Sequence, residues 1–353
     1  MGLVLGAGGV MGGAWLTGAL HALADETGWD PASADCVVGT SAGAMIGSLC
    51  ASGVPPWFMV AHSAGERFDG LVDAEGRPAE EADRSGGAVF RLERALPPVG
   101  PGSWRLGLKA LRNPLRHSPG IHFSAWLPRG MVSTGPLKDT IRRAVPSGWS
   151  SHPRLWVVAC DYASGERVVF GRDDAPEADL ADAVAASCAI PGFYHPVSIA
   201  GRRYVDGGIH SPSNLDVVRT ERLDVVICLN PTSTLDEVSV RHPVERLQAF
   251  MRSASGRRLG NEARMLREAG IEVVLLQPQS EDLQVMGGNL MSRRRRHEVI
   301  ETSIGTVRRQ LRASRVRKVL TGLPAGEPGR VRQPKGPPSS WPRYVRERQR
   351  QSA

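Results

Sequence analysis

Aromatic residues make up only 5% of this 353-residue chain, too few for a surface that holds nucleic acid by stacking bases. Lysine is nearly absent: Lys109, Lys138, Lys318 and Lys335 are the only four, so 40 of the 44 basic side chains are arginine. The five cysteines (Cys36, Cys50, Cys160, Cys188, Cys228) are odd in number and contain no C-x-x-C pair. Neither a disulfide framework nor a zinc site is suggested, and a reducing, cytoplasmic compartment fits. Long apolar runs are lacking too. Pro55-Pro56 cuts the stretch that follows Met45, so nothing reaches the roughly 20 apolar residues of a membrane-spanning helix. The first 24 residues carry no charge, but they have no cationic start and are interrupted by seven glycines, unlike a secretory leader. The chain reads as soluble, or peripheral at a membrane.

What is present suits a folded globular protein. Apolar residues at 41% and charged residues at 23% allow a sizeable core, while 40 glycines and 26 prolines predict many loops. The net charge of +8 is unevenly placed. From Arg308 to Ala353 there are 13 Lys/Arg against Glu327 and Glu347 alone, so the preceding part is close to neutral. Residues 1–320 are expected to form one domain. Residues 321–353, rich in Pro, Gly and Arg, are expected to be a disordered basic tail.

The pattern opens with an apolar run at Leu3-Val4-Leu5, a glycine cluster, and an uninterrupted helical stretch from Ala14 to Ala24. Asp35 to Val38, the turn Gly39 to Gly43 and a small-residue helix to about Ser52 repeat the unit. Two strand–turn–helix units in succession predict a parallel sheet covered by helices. Regularity fades over 55–130, which reads as an irregular insertion and the natural place for a lid. Its segments Trp57 to Val60 and Trp104 to Leu115 carry apolar side chains. Strands are predicted again at 154–160 and 167–170 around a Ser164-Gly165 turn, then at 196–205, 224–229 and 271–276. Helices are predicted at 178–187, 244–268 and 292–319.

Three motifs carry chemistry. Gly39-Thr40-Ser41-Ala42-Gly43 is a G-x-S-x-G between a predicted strand and helix. So tight a turn thrusts the serine out of the backbone, and only small flanking residues let strand and helix approach. Gly6-Ala7-Gly8-Gly9-Val10-Met11 follows the first strand. It is not the dinucleotide pattern G-x-G-x-x-G, because Met11 stands where the last glycine belongs and no acidic residue ends the second strand. Its successive backbone amides can instead form an oxyanion hole beside Ser41. Tyr204-Val205-Asp206-Gly207-Gly208 puts a carboxylate at a strand end. A serine nucleophile needs a base within reach, and none of the nine histidines, His195 and His210 included, sits in a convincing setting. Only one strand–helix unit precedes Ser41, which does not fit an α/β-hydrolase.

Together these motifs, with Ala186-Ser187 shortly before Pro191, resemble the patatin-like phospholipases, a family of lipid acyl hydrolases, over about residues 2–280. The resemblance implies a three-layer α/β/α sandwich with a mostly parallel central sheet. It implies a Ser–Asp dyad with Ser41 as nucleophile and Asp206 as general base. Gly8, Gly9 and Val10 would supply the oxyanion hole, supported by Gly6, Gly39, Gly43, Gly207 and Gly208. No cofactor or metal is called for. Members often carry Arg or Lys in the glycine-rich turn; here Val10-Met11 stand there, which keeps the backbone donors and removes the side-chain cation.

The expected activity is cleavage of ester-linked acyl chains of phospholipids or other lipids by a carboxylic ester hydrolase working through an acyl-enzyme. An acyltransferase or thioesterase would use the same dyad, and a non-catalytic protein retaining the fold for membrane or partner binding is the rival from another class. For the Arg-rich end, a solvated tail and peripheral contact with anionic membrane are both open. Nucleic acid is not an expected partner, since no recognised module accompanies the charge.

Overall fold

The computed structural model describes residues 1–63, 90–93, 100–112, 119–236 and 243–321. The expected tail therefore lies outside the described residues apart from Thr321, as do 64–89, 94–99 and 113–118 of the expected insertion. The chain forms β1 (Gly2–Leu5), α1 (Gly9–Thr27), β2 (Cys36–Thr40), α2 (Ala42–Ala51) and α3 (Pro56–Ser63). It continues through α4 (Trp104–Arg112), α5 (Pro119–Trp126), α6 (Gly135–Ala144), β3 (Leu155–Asp161), β4 (Arg167–Phe170), α7 (Leu180–Ser187), β5 (Val197–Ile199) and β6 (Arg202–Asp206). After β7 (Val225–Leu229) come α8 (Pro243–Glu268), β8 (Glu272–Leu276), α9 (Ser280–Met286), α10 (Arg296–Arg312) and α11 (Ser314–Leu320).

The eight strands make one sheet in the order β5-β6-β3-β2-β1-β7-β8, with β4 also paired to β3. The run β3-β2-β1-β7-β8 is parallel, while β4, β5 and β6 are joined by antiparallel pairings. Strands covered on both faces should be apolar throughout rather than alternating, and β1, β2 and β3 are buried at every position. Side chains alternate between faces along each strand. Leu3, Leu5, Val37, Val157 and Leu229 enter the larger core with α1, α2, α7 and α10. Val4, Val38, Trp156, Val158 and Cys228 face the other way, onto Leu259, Ala263 and Leu266 of α8. The result is the expected α/β/α arrangement with a mostly parallel central sheet. All five cysteines are buried and free.

Some local readings needed correction. The 55–130 insertion is not simply irregular: its described residues hold α3, α4 and α5. These helices are short, with Pro114 between α4 and α5 and Pro119 opening α5, so each offers only a brief window for helical periodicity. Residues 196–205 form a hairpin, not one strand, because Ala200 and Gly201 both adopt positive φ (48° and 74°), a turn conformation that Ala does not advertise. The helix predicted over 292–319 breaks at Ala313, whose backbone is extended (φ −60°, ψ 133°). Helices α6 and α9 had no clear signal in the sequence.

Candidate active site

The two motifs meet because of how β3 is shared. Along β3, residues Leu155 to Val158 pair with β2, ending at Thr40 opposite Val158. The next positions, Ala159 to Asp161, pair with β6, where Asp206 lies opposite Ala159. Strand β4 overlaps both segments, so it occupies the other edge of β3, and β2 and β6 share one edge. One runs parallel to β3 and the other antiparallel. Their C-terminal ends therefore converge head to head, with Ser41 and Asp206 as the first residues beyond the junction and at it.

Ser41 has φ 54° and ψ −119°, a left-handed backbone that side chains other than glycine rarely adopt. The turn is tight enough to explain both flanking glycines. A Cβ at Gly39 would lie 2.5 Å from the Gly43 oxygen, and one at Gly43 would lie 2.0 Å from the Leu5 oxygen. Both neighbours are backbone and cannot swing aside. Gly43→Ala is therefore expected to cost on the order of 3 kcal/mol or more; a melting temperature equal to that of the parent chain would refute this close packing.

The Ser41 amide donates to Ser187 Oγ at 2.8 Å, and Ser187 Oγ donates to the Val158 carbonyl at 2.6 Å. This is the physical role of the Ala186-Ser187 pair: it pins the serine turn to β3 between the converging strands. The Cys188 thiol donates to the Ser41 carbonyl at 3.2 Å. Burial, and then the nearby Asp206, hold that thiol well above its ordinary pKa, so it stays neutral.

Ser41 lies near enough to Asp206 to lower its pKa, and the Gly208 amide donates to Asp206 Oδ1 at 2.7 Å. Ser41 is 3% exposed and Asp206 4%. Burial pushes the Asp206 pKa from 3.8 up to about 6, against the opposing pull of Ser41 and the Gly208 amide. A carboxylate so placed is a stronger base than one in water.

The glycine-rich turn lies alongside. Leu5 pairs with Gly39 across β1 and β2, and a Cβ on Gly208 would come within 3.2 Å of the Ala7 side chain. Gly8 caps α1, and Gly9 has φ 62°. A Cβ at Gly9 would lie 2.9 Å from the Leu290 oxygen. The amide of Gly6 donates to Leu229, that of Ala7 to Pro212 and that of Met11 to Leu290. The amides of Gly8, Gly9 and Val10 have no acceptor among the described residues. They sit at a helix N-terminus, where unsatisfied N–H groups and the helix dipole favour an anion.

Asn214 had escaped sequence reasoning. It adopts φ 46°, and its Nδ2 donates to Thr40 Oγ1 at 3.1 Å, to the Ser211 carbonyl and, at 3.4 Å, to the Gly207 carbonyl. It thus ties the residue before Ser41 to the residue after Asp206. Arg167 donates to Asn214 Oδ1 and is itself held by Asp216. Behind it, the buried Glu262 of α8 accepts from Ser211, Ser213, the Leu215 amide and Arg258. The only sequence cue is the turn-like Ser211-Pro212-Ser213-Asn214, and its partner Thr40 is 174 positions away.

Asn214→Ala is expected to lower kcat roughly tenfold with little change in KM, as a small displacement of reacting groups does. It should also destabilise the fold by about 1–2 kcal/mol, because alanine resists the left-handed conformation. Asn214→Gly should restore stability without restoring turnover. Recovery of both would show that the bridge does not position the dyad.

The patatin-like phospholipase family profile matches residues 3–219, well over half of the chain and every motif described above. The chain belongs to the patatin-like phospholipase family. Among solved structures, that of VipD from Legionella pneumophila is similar, with 16% sequence identity and a TM-score of 0.43. The match covers 88% of this chain and 66% of VipD.

Proposed function

We propose that the protein is a serine acyl hydrolase that cleaves ester-linked acyl chains of lipids, with Ser41 as nucleophile and Asp206 as general base. The observation that carries this reading is the convergence of β2 and β6 on one edge of β3, which brings Ser41 beside a buried carboxylate whose pKa is raised to about 6. Family membership supports the substrate class.

In the reaction, Ser41 Oγ bonds to the ester carbonyl carbon while its proton passes to Asp206. The carbonyl oxygen becomes an oxyanion facing the amides of Gly8, Gly9 and Val10. Collapse of this intermediate breaks the ester C–O bond, and Asp206 returns the proton to the leaving alcohol. Water then attacks the acyl-enzyme, Asp206 accepts its proton, and the second collapse expels Ser41 Oγ, which takes that proton back. No step uses a metal or cofactor.

A panel of diacyl phospholipids, lysophospholipids, acylglycerols and short p-nitrophenyl esters tests the substrate class. Release of fatty acid from at least one lipid, absent in the Ser41→Ala protein, is the expected result. Turnover of the short esters alone would remove lipids from the proposal.

A further inference from the structure

Helices α4 and α5 bury one side and leave a second apolar side uncovered. Inward, Leu106, Ile121 and Ala125 pack with Cys160, Tyr162 and Val205 beneath the helix pair. Outward, Trp104, Leu108 and Leu111 follow an i, i+4, i+7 spacing, which aligns them on one stripe. Trp104 is 61% exposed, Leu111 65% and, on α5, Phe123 68%. Trp126 is exposed beside them, its ring meeting that of Trp104 edge to face at 6.1 Å. Exposed tryptophans and leucines on adjoining helices are what an interfacial membrane anchor presents.

The sequence of this stretch is rich in cations. From Arg94 to Lys138 the sequence contains seven Lys/Arg and no acidic residue. Arg105, exposed on α4, and Arg129 both lie near Arg203. Burial first, then Arg129 and Arg105, lower the Arg203 pKa. None of these three arginines has a carboxylate partner among the described residues. Lys109, on the same helix, is paired with Glu166 and is not part of this set. An apolar stripe flanked by arginines that have no carboxylate partner among the described residues is complementary to a bilayer carrying anionic head groups.

The helix pair also lies close to Asp206, through its inward side. A Cβ on Gly120 of α5 would be 2.8 Å from the Ile209 carbonyl, in the short turn Gly207–Ile209 that follows Asp206. Val205, immediately before Asp206, belongs to the cluster under the helix pair. We infer that α4 and α5 form a docking platform for anionic phospholipid bilayers, which sets the Asp206 loop one helix layer from the membrane from which substrate is drawn. This rests on the lipid-hydrolase reading for its purpose, though not for its test. It also assigns membrane contact to a different segment from the Arg-rich end considered above.

The test uses the full chain carrying Ser41→Ala, so that bound lipid is not consumed, and sedimentation with vesicles of phosphatidylcholine and phosphatidylglycerol (about 3:1) or of phosphatidylcholine alone. Preferential binding to the anionic vesicles is expected. Leu108→Glu/Leu111→Glu should reduce partition at least tenfold, and Arg105→Gln about fivefold, the equivalent of roughly 1 kcal/mol per arginine at the surface. With Ser41 intact, the double variant should hydrolyse a dispersed short p-nitrophenyl ester within twofold of the parent rate, which also reports that it is folded. As a second measurement, brominated phospholipid should quench tryptophan fluorescence less in Trp104→Phe than in the parent.

Undiminished partition of the double variant, or equal quenching in the two proteins, would overturn the platform. So would sedimentation velocity showing that the double variant splits a dimer, since the face would then join two copies. Vesicle binding lost only on truncation after Thr321 would move the contact to the Arg-rich end and equally overturn it. Failure to cleave any ester would strike the hydrolase reading alone and leave the binding result standing.

Discussion

The Ser41→Ala protein should escape labelling by a fluorophosphonate probe and lose on the order of 10⁴-fold in ester turnover, the scale on which loss of a hydrolase nucleophile is felt. The probe reacts with a serine only where its oxygen is activated and the phosphoryl oxygen can be held. Both requirements trace to geometry at one point. The elbow at Ser41, with φ 54°, projects the hydroxyl toward Asp206, and the unsatisfied amides at the start of α1 lie beside it. The thermal stability of the variant should stay close to that of the parent, since the turn itself depends on Gly39, Gly43 and Ser187. A Ser41→Ala protein that still reacts with the probe would transfer the nucleophile elsewhere and leave the approach of Ser41 to Asp206 without a catalytic meaning.

Asp206→Asn should lower turnover by roughly 10²–10⁴-fold, the usual worth of a general base, and yet raise stability. The activity of the parent needs the carboxylate ionised, so kcat/KM should fall as pH drops through about 6. The stability effect has the opposite sense. The folded-state pKa lies above the value of 3.8 expected in the unfolded chain. The native state therefore holds a proton that the unfolded chain has already released. Stability from this group is fully present below about 3.8 and is lost as pH rises through about 6. At neutral pH the ionised, buried carboxylate costs roughly 3 kcal/mol relative to its protonated form. Asparagine keeps a similar shape, can still accept from the Gly208 amide, and does not ionise. The melting temperatures of parent and variant should thus diverge between pH 4 and pH 7, with the variant the more stable. Equal melting curves across that range, together with near-normal turnover, would mean that Asp206 is neither strained by burial nor needed as the base.

How far the sequence could be read depended on the range over which each signal acts. The first two strand–turn–helix units were legible because their glycines answer to local sterics: Gly39 and Gly43 have no room for a Cβ, and strand and helix lie within a few residues of each other. The apolar runs of β1, β2, β3, β7 and β8 announced a doubly covered sheet for the same reason. The Ala200-Gly201 hairpin, the break at Ala313 and the short helices α4 to α6 were not legible. Each is stabilised by what it packs against rather than by its own composition. The exposed stripe on α4 was visible only as a scatter of leucines and tryptophans, since sequence alone cannot say which side of a two-faced apolar helix is buried.

By itself the sequence determined the residue types of the site, namely a small-flanked serine, a run of backbone donors and an Asp-Gly-Gly at a strand end. Their chemistry is inherent in those groups and their immediate neighbours. Tertiary structure alone decided that they form one site. Strand β3 outruns β2 and accepts β6 on the same edge, which brings Ser41 and Asp206 together. The surrounding core then excludes water and lifts the carboxylate to a useful pKa. The bridge from Asn214 to Thr40 arises in the same way, because register between distant strands is set by the packing of the whole sheet and leaves no mark on either segment.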